Sequence, residues 1–173
     1  RLFPHTFSGE GHFACLLKKN EDSPRFTLRP FDPFSPLKTE KKDVYGLLGE
    51  FGIDAATLNL KRYGDTVYIV SDNFSVPQGV RIVRGGLPVV KITGKRVEPL
   101  HGVATFLKKG QCKKTIDFPC ESEEIIKYVK GEPLGISAPF KGYGVIAADG
   151  YPLGLVKSSD GVIKNRYPKG LRR

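Results

Sequence analysis

The residues best suited to binding a ligand lie in the last segment of the chain, residues 157–173. This segment carries six basic side chains against one acid, and its net charge of +5 is half of the +10 of the whole chain. Such a surplus favours a polyanionic partner through counterion release. Lysine and arginine supply phosphate contacts, while an amide and a tyrosine add hydrogen bonding and base stacking. The predicted RNA-binding residues are Lys157, Lys164, Asn165, Arg166, Tyr167, Lys169 and Arg172.

Two interpretations of this segment stay open at the level of sequence. In the first, it binds RNA. In the second, it is a solvated basic terminus with Tyr167 packed beneath the domain to which it belongs. The turn and strand at Asp149–Gly154 also have two interpretations. Tyr151 and Gly154 suit either a tight hairpin or the close approach of an RNA backbone.

Other reactive side chains do not form a recognisable catalytic pattern. The three cysteines and three histidines have no Cys-x-x-Cys pair and no pair of histidines at zinc-ligand spacing. The odd cysteine number fits a reducing compartment. No phosphate-binding glycine loop is present. We therefore predict no catalytic, metal or cofactor site in this chain, although a Cys-His pair formed in space cannot be judged from spacing.

The elements expected to position these residues begin with a hairpin over residues 1–24 and a proline-rich extended linker over residues 25–36. Because a lone hairpin is unstable, it should belong to a sheet located upstream. The chain lacks Met and begins with Arg1, so we expect an excised piece of a longer protein. We expect a monomer, with the free hairpin edge as a source of artefactual dimers.

Residues 37–107 are predicted to form an α+β domain. Its helix runs from a Thr39 cap to Gly52, with apolar residues at helical spacing. Antiparallel strands should follow around Gly64-Asp65, and a hairpin of residues 80–83 with 88–92 around Gly85-Gly86. Residues 97–107 are ambiguous between strand and helix. No apolar run is long enough to span a membrane, and we expect a cytoplasmic protein.

Residues 108–173 are predicted to form a second domain. It should contain a strand at residues 114–118, a helix at residues 122–129 with Ile125, Ile126 and Val129 inward, and a three-stranded meander ending in the basic segment. Short strands that close on themselves suggest a small β-barrel. The fold class is therefore α+β, with two small domains of antiparallel sheet and a few helices.

Three motifs together resemble one protein family. They are Arg1-Leu-Phe-Pro-His5 with Gly9-Glu-Gly-His-Phe13, Asp149-Gly-Tyr-Pro-Leu-Gly154, and Val162-Ile-Lys-Asn-Arg-Tyr-Pro-Lys-Gly-Leu-Arg172. The chain resembles the Sun-type S-adenosylmethionine-dependent RNA methyltransferases that make 5-methylcytosine, within the branch of small-subunit ribosomal RNA methyltransferase F. The resemblance implies a remnant closing hairpin of the methyltransferase domain, a first C-terminal accessory domain, and a PUA-like RNA-binding barrel.

The resemblance also implies what the chain does. The family's nucleophilic cysteine, its Pro-Cys motif and its S-adenosylmethionine site should lie upstream, because Pro119-Cys120 stands in the wrong domain and lacks a following Ser-Gly. We expect an RNA-binding region that positions small-subunit ribosomal RNA for that catalytic domain, and no methylation by this chain alone. The alternatives are a mainly structural or protein-docking module with an incidental basic surface, and an independent hydrolase or nuclease.

Overall fold

A computed structural model describes residues 30–172 of the chain, apart from residues 73, 78, 80 and 81. The predicted N-terminal hairpin lies outside the described residues. So does most of the predicted linker, but its last residues form two short strands, β1 (Pro30–Phe31) and β2 (Ser35–Pro36). Within the described residues, no helix is long and apolar enough to cross a membrane.

The first sheet is antiparallel and has five strands in the order β2-β3-β4-β6-β7. Its strands after β2 are β3 (Leu60–Tyr63), β4 (Thr66–Ile69), β6 (Leu87–Thr93) and β7 (Arg96–Pro99). A separate pair joins β1 to β5 (Val76–Pro77). The β3–β4 and β6–β7 turns contain Gly64 and Gly94 at positive φ, as such tight turns favour. The predicted β3–β4 hairpin is confirmed.

The hairpin predicted around Gly85-Gly86 is wrong, because β6 pairs with β4 and β7. Ile82 and Val83 lie outside any strand, and Val83 is 90% exposed. The two glycines serve close packing instead: a Cβ at Gly86 would lie 2.4 Å from the Ile69 carbonyl oxygen, and one at Gly85 2.4 Å from the Phe34 ring. The chain therefore passes tightly against Phe34 and the end of β4 at these glycines.

The helix α1 (Lys41–Glu50) follows the predicted pattern, with Val44, Leu47 and Leu48 buried and Gly52 at φ 76° after its end. The predicted Thr39 cap is wrong, because the residue before the helix is Glu40 and no side chain caps the first turn. The ambiguous residues 97–107 contain both structures, with β7 ending at Pro99 and a short helix α2 (Gly102–Phe106) beginning three residues later.

The second sheet has four strands in the order β11-β10-β9-β8. They are β8 (Thr115–Phe118), β9 (Gly142–Ala148), β10 (Tyr151–Ser159) and β11 (Val162–Asn165), with α3 (Glu123–Lys130) between β8 and β9. The meander β9–β11 is antiparallel as predicted, whereas β8 pairs parallel to β9. The α+β class is confirmed. The four strands form an open sheet, and closure into a barrel stays a prediction.

The helix α3 begins and ends where its sequence signals lie. Ser122 accepts a hydrogen bond from the Ile125 backbone N–H, and Gly131 follows the last turn at φ 82°. The predicted inner face is wrong at one position. Ile126 is 47% exposed, and Tyr128 is buried completely in its place.

The two sheets share part of one core. Val145 of β9 and Leu155 of β10 pack in the same buried cluster as α1 and the first sheet, while Val156 and Ile163 pack with α3 on the opposite face. Gln111 donates a hydrogen bond to the Gly52 carbonyl oxygen (2.8 Å) across the junction. The second sheet is therefore fixed against the first by its own core residues. The predicted boundary near residue 108 stays a prediction.

Candidate nucleic-acid interface

Register pairing in the second sheet places basic and aromatic side chains next to each other. Lys157 of β10 lies directly opposite both Tyr143 of β9 and Lys164 of β11. Directly opposite residues in a sheet point to the same face. The Lys157 Nζ lies 4.9 Å from the centre of the Tyr143 ring, and the Arg166 guanidinium carbon lies 5.9 Å from it. We call Tyr143, Lys157, Lys164 and Arg166 the basic strip.

The strip continues an otherwise buried face of the sheet. Val145 comes two residues after Tyr143 on β9, and Leu155 comes two residues before Lys157 on β10, so both share the orientation of the strip. Both are buried against the first sheet. The strip begins where that cover ends, so Lys157 and Tyr143 are half-buried and Lys164 is exposed. Three cations thus stand at the edge of the junction between the sheets, and this position makes their charges accessible to a polyanion.

Arg166 is held from two sides. Its backbone N–H donates to the Leu155 carbonyl oxygen (3.1 Å), and its guanidinium lies 3.4 Å from the Glu98 carboxylate. Both side chains of that ion pair are about one-third exposed. An ion pair of this exposure contributes little to stability. Glu98 therefore orients the guanidinium and leaves it accessible to a phosphate.

Asn165 uses its amide inside the protein. Its Nδ2 donates to the carbonyl oxygens of Tyr128 (2.9 Å) and Glu132 (3.0 Å), and its Oδ1 accepts from the Tyr167 N–H (2.8 Å). Both amide hydrogens and one acceptor position are thereby engaged. The side chain joins the end of β11 to the C-terminal end of α3.

Tyr167 is half-buried and packs edge-on against two other rings. The centre of the Tyr167 ring lies 5.3 Å from the centre of the Tyr128 ring and 5.6 Å from the centre of the His101 ring. Gly154 makes this packing possible, because a Cβ there would lie 2.4 Å from the Tyr128 Oη. Gly154 is thus buried beneath aromatic rings, while Tyr151 of the same motif is 63% exposed, with the Lys109 Nζ 4.8 Å from its ring centre.

The last two predicted cations lie beyond the sheet. Lys169 is exposed in a short 3-10 turn (Lys169–Leu171). The Arg172 guanidinium donates to the Tyr167 carbonyl oxygen (3.3 Å) and lies so close to Gly131 that a Cβ there would meet it at 2.3 Å. Arg172 therefore lies against the C-terminal end of α3, which is the negative end of the helix dipole.

A groove of about 700 Å³ runs between the two sheets next to the basic strip. We call it the inter-sheet groove. Its lining includes Arg84, Leu87, Pro99, Leu100, His101, Thr105, Leu155, Arg166, Tyr167 and Arg172. Sequence reasoning missed Arg84, His101 and Tyr143, which come next to the tail only through long-range packing. Of these, Tyr143 was accessible from sequence, because pairing the predicted meander strands brings it opposite Lys157.

His101 differs from the other groove residues because it is a titratable group in a partly apolar setting. Its Nδ1 is buried and has no hydrogen-bond partner among the described residues. Burial lowers the pKa of His101 below its ordinary value. The imidazole is therefore neutral at physiological pH, and its ring packs against Tyr167 without a positive charge.

The cysteines that the structure describes are not arranged as nucleophiles. Cys112 is buried in the core. Cys120 is exposed, and a hydrogen bond to the Asp149 carboxylate, reinforced by charge repulsion, raises the pKa of its thiol. A raised pKa keeps the thiol protonated and poorly reactive. Across residues 30–172, apart from the four gaps, no three His, Cys, Asp or Glu side chains come close enough to hold a metal ion.

Comparison with known proteins shows what the last third of the chain resembles. Residues 115–173 match the family of the methyltransferase RsmF PUA domain. This range contains the second sheet, α3 and every predicted RNA-binding residue. The predicted resemblance of this region to a PUA domain is confirmed.

The whole chain resembles particular proteins that contain such a domain. It is 26% identical over 181 residues to the ribosomal RNA small subunit methyltransferase F of Cronobacter sakazakii, and 26% identical over 185 residues to that of Shewanella loihica. These alignments cover 99% of this chain but 37% of each relative. The resemblance to ribosomal RNA small subunit methyltransferase F is confirmed, and the chain spans little more than a third of the length of these relatives.

The cofactor of such methyltransferases does not fit the described residues. A donor site of the Rossmann type needs a glycine-rich loop between a strand and the helix that follows it. The parallel pair β8 and β9 is connected through α3, but the loop that enters α3 consists of Pro119, Cys120, Glu121 and Ser122. This loop contains no glycine, so we assign no S-adenosylmethionine site to the part of the chain that the structure describes.

Proposed function

We propose that this chain is the RNA-binding region of an S-adenosylmethionine-dependent ribosomal RNA (cytosine-5) methyltransferase. In this role it holds small-subunit ribosomal RNA for a catalytic domain that lies outside the chain and carries the methyl donor. The PUA domain match and the names of the full-length relatives support this proposal. Such an enzyme would work in the cytoplasm, where ribosomal RNA is assembled with protein.

The observation that carries the proposal is the basic strip. Phosphates of an RNA backbone would contact Lys157, Lys164 and Arg166, which lie on one face of the sheet. Lys157 and Arg166 also lie close to the Tyr143 ring. Lys169 and Arg172 extend the same charge beyond the sheet. Tyr167 would contribute the exposed part of its ring. Asn165 would act by holding the backbone of the tail in place, in keeping with its three internal hydrogen bonds.

The test is a double charge reversal, Lys164→Glu with Arg166→Glu, measured by salt titration of RNA binding to the full chain. Losing two phosphate contacts should lower the magnitude of the log affinity against log salt slope by about 1.4 for single-stranded RNA. The matched control reverses Lys38 and Lys42, which are exposed near the start of the first module, by which we mean β1 to α2. Equal affinity and equal slope in the two double variants would contradict an RNA contact at the strip.

Preference among nucleic acids separates recognition from simple charge attraction. We expect the chain to prefer small-subunit ribosomal RNA over transfer RNA and double-stranded DNA of matched length at physiological salt. Equal and steeply salt-dependent binding to all three would favour the second candidate function, a structural or protein-docking module of the same enzyme. The internal engagement of Asn165 and the shared core speak for that candidate.

A further inference from the structure

The inter-sheet groove is built by both halves of the chain. The first module contributes Arg84, the end of β7 and the start of α2, while the second contributes Leu155 and residues of the C-terminal tail. Gly102 permits the close approach of α2 to β6, since a Cβ there would lie 2.1 Å from the Pro88 carbonyl oxygen. The groove is thus a product of the junction itself, and neither sheet alone would form it.

The charge of the groove selects an anion. Three guanidinium groups, those of Arg84, Arg166 and Arg172, line it, and its described lining contains no carboxylate. Arg166 and Arg172 are held in place by Glu98 and by the Tyr167 carbonyl oxygen, respectively. Guanidinium groups fixed in this way suit bidentate binding of phosphate.

The floor of the groove selects a flat, weakly polar group. Leu87, Pro99, Leu100 and Leu155 supply apolar surface. The rings of His101 and Tyr167, which pack edge-on against each other, also line the groove. Aromatic rings beside apolar side chains are the usual surroundings of a nucleobase removed from its stack. A volume of about 700 Å³ lies within the range of small-molecule sites.

We propose that the inter-sheet groove holds one unpaired nucleotide of the bound RNA, with its base against the apolar floor and its phosphate on the arginines. This inference rests on the proposed RNA-binding function and adds a preference for single-stranded or bulged RNA. The basic strip at the rim would hold the neighbouring phosphates. A base-paired nucleotide is excluded because its base must leave the stack to enter a groove.

The first test blocks the groove without changing charge. Thr105 is exposed on α2 and lines the groove, so Thr105→Phe fills it, whereas Thr93→Phe at the end of β6 makes the same change outside it. The probe is a single-stranded RNA containing 2-aminopurine, compared with the same strand in a duplex. We expect Thr105→Phe to weaken single-strand binding by about tenfold, to abolish the change in 2-aminopurine fluorescence, and to leave duplex binding within about twofold of wild type.

A charge variant keeps the inference testable if Thr105→Phe fails to fold. Arg84→Glu should weaken single-strand binding more than duplex binding, and Arg96→Glu, outside the groove lining, should not discriminate between them. Wild-type protein that binds no RNA would refute the proposed function itself. Wild-type binding with no difference between the groove variants and their controls would overturn the groove alone. Displacement of the single strand by polyglutamate at equal concentration of charges would show a site for acidic peptide instead.

Discussion

Asn165 is predicted from the sequence to bind RNA, but its hydrogen bonds within the protein indicate a structural role. The substitution Asn165→Ala decides between these two roles. The substitution removes three hydrogen bonds, two to carbonyl oxygens at the end of α3 and one from the Tyr167 N–H. At about 1 kcal/mol each, and less where water can replace the partner, the loss is about 2–3 kcal/mol of unfolding free energy. For a chain of this size the melting temperature should fall by about 4–12 °C.

The assay is thermal and denaturant unfolding of the full chain, with RNA affinity measured on the same preparations below the melting transition. Asn59→Ala is the matched control, because the Asn59 side chain makes one long hydrogen bond to the Ser71 carbonyl oxygen (3.4 Å). The control substitution should lower the unfolding free energy by less than about 1 kcal/mol. A melting temperature of Asn165→Ala within about 1 °C of wild type, together with a loss of RNA affinity, would refute the structural role.

Asn165→Asp refines the same argument through pH. The ionised carboxylate cannot donate and would face two carbonyl oxygens at the negative end of α3. At neutral pH it should therefore destabilise at least as much as alanine. Protonation of the new carboxyl group restores one donor, so part of the stability should return in acid. A variant whose relative stability does not improve in acid would contradict the described contacts.

Two further predictions concern the aromatic packing beneath the tail. Gly154→Ala should lower the unfolding free energy by about 2–3 kcal/mol, because the new Cβ would lie 2.4 Å from the Tyr128 Oη. In the control, Gly46→Ala in α1, the new Cβ meets nothing within 4 Å and should stabilise the protein slightly. Denaturant titration of both variants measures the difference. Burial lowers the pKa of His101 in the folded protein, so His101 is protonated more readily in the unfolded chain. The wild-type protein should therefore lose stability as the pH falls from 7 towards 5, and His101→Gln should lose less. A variant with the same dependence of stability on pH as wild type would show that His101 is not responsible.

Local sequence signals predict the second sheet well. Apolar alternation and the turn residues Asp149-Gly150 and Asp160-Gly161 locate the strands of the meander, and Asp149 and Asp160 adopt positive φ in those turns. Ser122 and Gly131 mark the two ends of α3. In each case the signal acts within a few residues of the element it specifies, which is why it can be read without the fold.

The errors arise where packing between distant segments decides. Gly85-Gly86 has the composition of a hairpin turn, but the nearest neighbours of those glycines are Phe34 and Ile69. The inter-sheet groove was unpredictable for the same reason, since Arg84 and Arg172 are 88 positions apart in the sequence and line one surface only after both sheets have packed. The pairing of Tyr143 with Lys157 is intermediate between a local signal and long-range packing. It can be predicted as soon as the strands of the meander are paired.

The shared core also bears on the order in which the chain can fold during synthesis. The first module leaves the ribosome before β9 and β10 exist, yet Val145 and Leu155 belong to its buried cluster. Until those strands arrive, the nascent first module exposes the apolar surface that they will cover. The buried cluster of the first sheet is therefore completed only after β9 and β10 have been synthesised. A nascent chain stalled before β10 would be the form most exposed to proteolysis and aggregation.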